Sequence, residues 1–222
     1  MKKRILSLIL ALSMVLSVLP LGAFAAGSTQ DLVIGSDGYP VGSEGGSKDC
    51  NGGGNGNDWE YYSKSRILCL NGGTFDLSTT EPVKCEIHSF AIITGGTFNG
   101  AVYNLTETIS GGIFNGTVTN DPTGKISGGT FQSTGSVTNY GTINGNGTFE
   151  GSVTNYSYIE NGTFNGSVTN DGTNATIKNG TFNRDVANKA GGTISGGTFA
   201  GSVTNQGTIT SGTFNGKVTN YL

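Results

Sequence analysis

The sequence predicts an all-β fold, a parallel β-solenoid (β-helix) of three-sided coils about 15–18 residues long. Three observations predict it. Phenylalanine recurs at Phe75, Phe98, Phe114, Phe131, Phe149, Phe164, Phe182, Phe199 and Phe214. After a first gap of 23 residues, those spacings stay between 15 and 18. Isoleucine (Ile93 to Ile209) precedes each later phenylalanine by five or six residues, and a valine (Val102 to Val218) with an asparagine two residues on (Asn104 to Asn220) follows it. Finally, each apolar residue has polar neighbours, as in Thr163-Phe164-Asn165 and Ser167-Val168-Thr169. That alternation of period two belongs to a strand with one face in and one face out.

In chain order, the first element is a leader. Lys2, Lys3 and Arg4 precede an apolar stretch, Ile5 to Leu19, too short to span a bilayer comfortably, and Ala23-Phe24-Ala25 supplies a small-x-small cleavage signature. Residues 1–25 are therefore expected to be a signal peptide, with the mature chain beginning at Ala26 in an extracellular or cell-surface setting.

Residues 26–69 come next. A Gly/Ser/Asn-rich loop at 35–57 leads into Trp59-Glu60-Tyr61-Tyr62, an aromatic cluster expected to cap the first coil. Asp49, Asn55, Asn57 and Asp58 offer oxygen ligands in that loop, but their spacing matches neither the EF-hand nor the nonapeptide calcium repeat. Cys69 and Cys85 stand sixteen residues apart, close to one coil, so they are expected to stack and pair, leaving Cys50 free; Cys50 pairing in their place is the alternative.

Residues 70–222 carry the repeat, read as Ile-x-x-Gly-Thr-Phe-x-Gly-x-Val-x-Asn-x-Gly-x. Stacking superimposes like on like at about 4.8 Å, with each backbone pairing to the coils on either side. The asparagine column is expected to turn inward and form a hydrogen-bonded ladder. Glycines such as Gly147 and Gly162 are expected in conformations closed to other residues. Strands so short and uniform suit a solenoid better than a β-sandwich or barrel. The chain stops mid-coil at Tyr221-Leu222 without a polar cap, so continuation in a longer protein is expected.

Composition narrows the partners. The whole chain carries 12 basic and 15 acidic residues, and removing the leader leaves nine basic, a formal charge of −6. No basic cluster exists to hold nucleic acid or an anionic membrane surface, and no second apolar stretch reaches membrane length. One histidine, His88, and no close cysteine pair argue against zinc, and no cofactor motif occurs.

The pattern Ile-Ser-Gly-Gly-Thr-Phe-x-Gly-x-Val-x-Asn at 194–205, together with the Lys-Lys-Arg-Ile-Leu-Ser-Leu leader, resembles secreted right-handed parallel β-helix repeat surface proteins of Gram-positive gut bacteria. The resemblance covers the leader and roughly 93–222. It implies a right-handed coil and a role as adhesin or glycan-contacting stalk.

Function then divides into three readings. The first is a non-catalytic extracellular module touching a polysaccharide or glycoprotein through exposed aromatics. Tyr140 and Tyr156 both follow a ladder asparagine and should stack, with Tyr158 close by. The second is a polysaccharide-degrading β-helix enzyme (lyase or hydrolase) with its catalytic part in the N-terminal cap or beyond residue 222; within the repeats it would need clustered carboxylates. Glu150 and Glu160 are the nearest candidates, but no pair falls clearly on one face of adjacent coils, and His88 has no evident Ser, Cys or Asp partner. The third is an ice-binding solenoid, suggested by Thr117-Val118-Thr119 and Thr208-Ile209-Thr210 but interrupted by Tyr103, Asp185, Ala187 and Lys217.

Overall fold

A computed structural model describes residues 26–27, 32, 34, 36, 39–40, 59–62, 66–70, 74–77 and 81–221. The leader, the loop ligands Asp49 to Asp58, Cys50 and Gly73 lie outside the described residues.

Each coil contributes one strand to each of three sheets, and every sheet is a column of the repeat. The isoleucine sheet has nine strands, the phenylalanine sheet eight, and the valine–asparagine sheet twelve. Pairing is parallel and in register through the repeat: Ile143 lies beside Ile126 and Ile159, Phe149 beside Phe131 and Phe164, Val153 beside Val137 and Val168. Strands of two to four residues suffice because the chain turns a corner after each inward side chain. The result is a rod of roughly 40 Å at about 4.8 Å per coil.

The core is a set of stacks. Eight phenylalanine rings, Phe98 to Phe214, stack with centroids 4.7–4.9 Å apart and planes within 13°. From Phe98 to Phe199 they are buried, as are Ile93 to Ile194 and Val102 to Val203. Burying each such side chain contributes about 1.5–3 kcal/mol, and stacked aromatic pairs add to it.

The eight asparagines from Asn104 to Asn220 form the expected ladder. From Asn104 to Asn205, each Nδ2 donates to the Oδ1 of the next coil at 2.7–3.0 Å. The same Nδ2 also donates to a carbonyl of the corner that follows, as Asn139 does to Gly141 O at 3.1 Å. From Asn120 to Asn205, neutral amides thereby turn the corners with both side-chain polar atoms satisfied inside an apolar rod.

Glycine serves two separate needs. Before the phenylalanines, Gly129 (φ 96°) and Gly162 (φ 143°) adopt left-handed backbone, and a Cβ there would press on the phenylalanine rings. Gly147, expected to share that conformation, is not among the positive-φ residues; its hydrogen side faces the Phe149 ring instead. After the phenylalanines, Gly151 and Gly166 have ordinary φ, but a Cβ would overlap the carbonyl oxygen of the preceding coil. Coil-to-coil contact, not backbone dihedral, demands glycine in that column.

Two expectations about the early coils are corrected. Phe75 does not belong to the phenylalanine stack. Its strand, Thr74–Asp76, pairs with Ile92–Gly95 so that Phe75 lies beside Ile93, and Val83 bridges to Phe98 in its stead. The first gap of 23 residues is the trace of that change of column. Nor do Cys69 and Cys85 pair. Cys69 is disulfide-bonded, whereas Cys85 is a buried free thiol. Register explains why: Cys69 lies opposite His88, three residues beyond Cys85, so the two cysteines occupy different columns.

At the start of the rod, Trp59–Tyr62 runs antiparallel to Ile67–Leu70, and Ile67–Leu70 pairs in parallel with Glu86–Ser89. Trp59, Tyr61 and Tyr62 are buried, and Trp59 and Tyr61 belong to the apolar core.

Candidate functional site

The register of the ladder decides what stands beside it. Asn120, Asn139, Asn155 and Asn170 are neighbours in one column, so the residues that follow them form a second column outside the corner: Asp121, Tyr140, Tyr156 and Asp171. Each backbone N–H in that outer column donates to the ladder asparagine's carbonyl in the coil before, at 2.8–3.0 Å. The side chains are thus held on paired backbone.

Tyr140 and Tyr156 stack with centroids 4.9 Å apart and planes 8° from parallel. They remain 43% and 37% exposed, among the largest exposed apolar groups described. Two ring faces meet each other, and the outer faces look along the column toward the coils of Asp121 and Asp171. In the next coil, a Cβ at Gly172 would come within 3.9 Å of the Tyr156 ring and meet nothing else within 4 Å. Burial raises the Asp121 carboxyl above its usual range, with the His88 charge opposing the shift. The pair is therefore bracketed along the rod by two carboxylates able to accept hydrogen bonds from hydroxyls.

Tyr158 belongs elsewhere. It lies on the isoleucine sheet between Thr142 and Thr176, around the corner from Tyr156. Lys178 Nζ sits 5.0 Å from its ring centroid and is held by Glu160 at 3.0 Å. Tyr158 is 42% exposed, yet one face is already taken by an ammonium group. Of the three tyrosines, two form one surface and the third forms a separate cation–π cluster.

The structure also assembles groups that spacing alone did not. His88 Nε2 and Glu86 Oε1 are 2.7 Å apart, and the His88 ring packs on Tyr103 at 4.9 Å. Alternation puts residues 86 and 88 on one strand face, which was the available signal. Second, Glu150, Asn165, Gly166, Ser167, Arg184 and Asp185 line an open recess of about 400 Å³ where the phenylalanine sheet turns into the valine–asparagine sheet. Here two carboxylates do share a face, Glu150 with Asp185 rather than with Glu160. The signal was the loss of the repeat's Gly-Ser at 184–185, where Arg and Asp stand instead.

Among the described residues no three His, Cys, Asp or Glu side chains gather as a metal site, and no helix is long and apolar enough to cross a membrane. The outward threonines form a single column on the phenylalanine sheet, broken by Ile113, which is 43% exposed. No protein-family model, curated protein or solved structure matches the chain.

Proposed function

We propose that this chain is a non-catalytic module of a secreted or cell-surface protein, a rigid stalk or adhesin that contacts glycans through Tyr140 and Tyr156. The observation carrying this reading is that stacked pair, exposed on a rigid corner and bracketed by Asp121 and Asp171. Open aromatic surface suits the apolar face of a sugar ring, and flanking carboxylates suit its hydroxyls. The leader supports export of the chain.

The enzyme reading would place its chemistry at Glu150 and Asp185. Both carboxylates are already engaged in positioning: Glu150 Oε1 accepts from Asn165 Nδ2 at 2.8 Å, and Asp185 Oδ1 from Ser202 N–H at 2.9 Å. That arrangement favours holding a ligand over cleaving one. The ice-binding reading rests on threonines of the valine–asparagine and isoleucine sheets, where Tyr103 and Ala187 interrupt the outward column of the first and Lys125 and Tyr158 that of the second.

Native electrophoresis through gels cast with mucin, pectin or xylan tests the proposal. Retardation in at least one gel, abolished in Tyr140→Ala/Tyr156→Ala and retained in Tyr158→Ala, is the expected result. Unchanged mobility of the wild-type chain in every gel would refute it.

A further inference from the structure

Resting on that reading, we infer that the Glu150–Arg184–Asp185 recess is a second glycan subsite, and that a neutral oligosaccharide binds across the valine–asparagine sheet from the tyrosine pair to this recess.

The repeat itself marks the place. The column two residues after each phenylalanine is glycine in coil after coil, because a Cβ would strike the coil before it. Arg184 occupies that column and Asp185 the Ser/Thr column beside it. The backbone responds. A Cβ on Gly166 or Gly216 would meet first a carbonyl oxygen of the coil before it. One on Gly201 would meet first the Arg184 carbonyl carbon, with the Asp185 nitrogen at 2.8 Å. The Arg184–Asp185 peptide is therefore turned relative to its counterparts, and the recess over Gly166 and Ser167 coincides with that departure. Asp185 Oδ1 takes one coil-to-coil hydrogen bond, from Ser202 N–H at 2.9 Å, but stacking calls for no arginine here, since the consensus Gly-Ser stacks without it.

The free valences fit hydroxyl groups. Asn183 Nδ2 donates to Asn165 Oδ1 at 2.7 Å and Asn165 Nδ2 to Glu150, so the amides are fixed and Glu150 keeps its second oxygen. Arg184 carries no hydrogen bond or ion pair among the described residues. A planar donor fork lining the same recess as two carboxylates provides both donors and acceptors for adjacent hydroxyls. With two carboxylates against one guanidinium, and Asp121 and Asp171 at the other end, the surface disfavours uronic acids. A neutral, hydroxyl-rich chain is the matching class.

One strand joins the two ends. Glu150 stands two residues before Ser152–Asn155, and Tyr156 follows it directly. At about 3.3 Å per residue, the four-residue strand between them spans roughly 13 Å, room for two or three sugar rings. Outward Thr154 and its neighbours Thr138 and Thr169 lie between, offering further hydroxyls. The ligand therefore crosses the rod rather than running along it.

Calorimetric titration of the folded chain with xylobiose, xylohexaose and hexagalacturonate tests this. Arg184→Gly/Asp185→Ser restores the repeat residues but removes the Asp185–Ser202 hydrogen bond, and a cooperative circular-dichroism melt of the variant within a few degrees of wild type separates loss of binding from loss of fold. Expected is wild-type binding of xylohexaose tighter than of xylobiose, weakened at least fivefold in Arg184→Gly/Asp185→Ser and separately in Tyr140→Ala/Tyr156→Ala. Undiminished xylohexaose binding in Arg184→Gly/Asp185→Ser, with loss in the tyrosine variant, overturns the second subsite alone. Tighter binding of hexagalacturonate than xylohexaose overturns the neutral class. No binding of any of the three sugars by wild type overturns the subsite together with the reading it rests on.

Discussion

The amide oxygen of Asn104 is buried without a donor, because the coil beneath ends its ladder position in Ser89 rather than asparagine. Ser89 Oγ turns back to its own corner, donating to Ala91 O at 3.0 Å. An unsatisfied buried acceptor costs about 1–3 kcal/mol. Ser89→Asn extends the ladder by one rung and should raise the melting temperature by about 2–4 °C, read by circular dichroism; a lowered value would show that the ladder's end is better left open. Cys85 gives a second test at this scale. Burial pushes its thiol up to about 12 from 9.0. Because the native pKa is the higher one, the unfolded chain gives up its proton first. Stability is then intact below about pH 9 and declines as pH rises towards 12. In chemical denaturation, Cys85→Ala should show a shallower decline over that window than wild type, and native Cys85 should resist alkylation at pH 8. The sequence made the thiol visible but misassigned its partner. A spacing of sixteen residues matches one coil in length, yet says nothing about which column each residue enters, and here the first coils are irregular.

At the level of the strand and its corner, the repeat was legible because like residues must superimpose: one or two inward residues per repeat strand leave no freedom to slip. What the spacing could not show is why each glycine is there. The Gly-Thr-Phe glycines answer to backbone conformation and ring contact, the Phe-x-Gly glycines to the neighbouring coil's carbonyl. Gly151→Ala, at ordinary φ, should still destabilise by more than about 2 kcal/mol, measured from denaturant midpoints, since the Gly135 carbonyl has no room to yield. A cost near that of a surface Gly→Ala change would contradict close coil contact. Phe164→Ala, in the middle of the stack, should cost about 3–5 kcal/mol by the same measurement. Arg184 is the instructive exception. It breaks the glycine column, and the break was present in the sequence. Only the turned peptide shows that the departure opens a recess beside Glu150 rather than straining the coil.

Across the whole molecule, a column repeated coil by coil turns sequence variation into a surface map. The inward stacks vary little, so the residues that differ between coils lie outside, and function is read from where the differences fall together. Tyr140 and Tyr156 could be paired from the repeat alone, since both follow ladder asparagines. Asp121 and Asp171 share their column, but their bracketing of the pair became evident only with the register in hand. Tyr158 looked like a third member and is not, because the two-residue step from Tyr156 carries the chain around a corner onto another sheet, under Lys178. The stiffness of the rod is part of the argument: rings held on paired backbone need little ordering on binding. The most direct test of the account is the aromatic proton spectrum of the tyrosines, assigned with Tyr→Phe variants, during titration with xylohexaose. The account predicts that Tyr140 and Tyr156 ring resonances shift together and saturably while those of Tyr158 stay in place. Ring resonances of Tyr140 and Tyr156 that do not move, or movement confined to Tyr158, would contradict it.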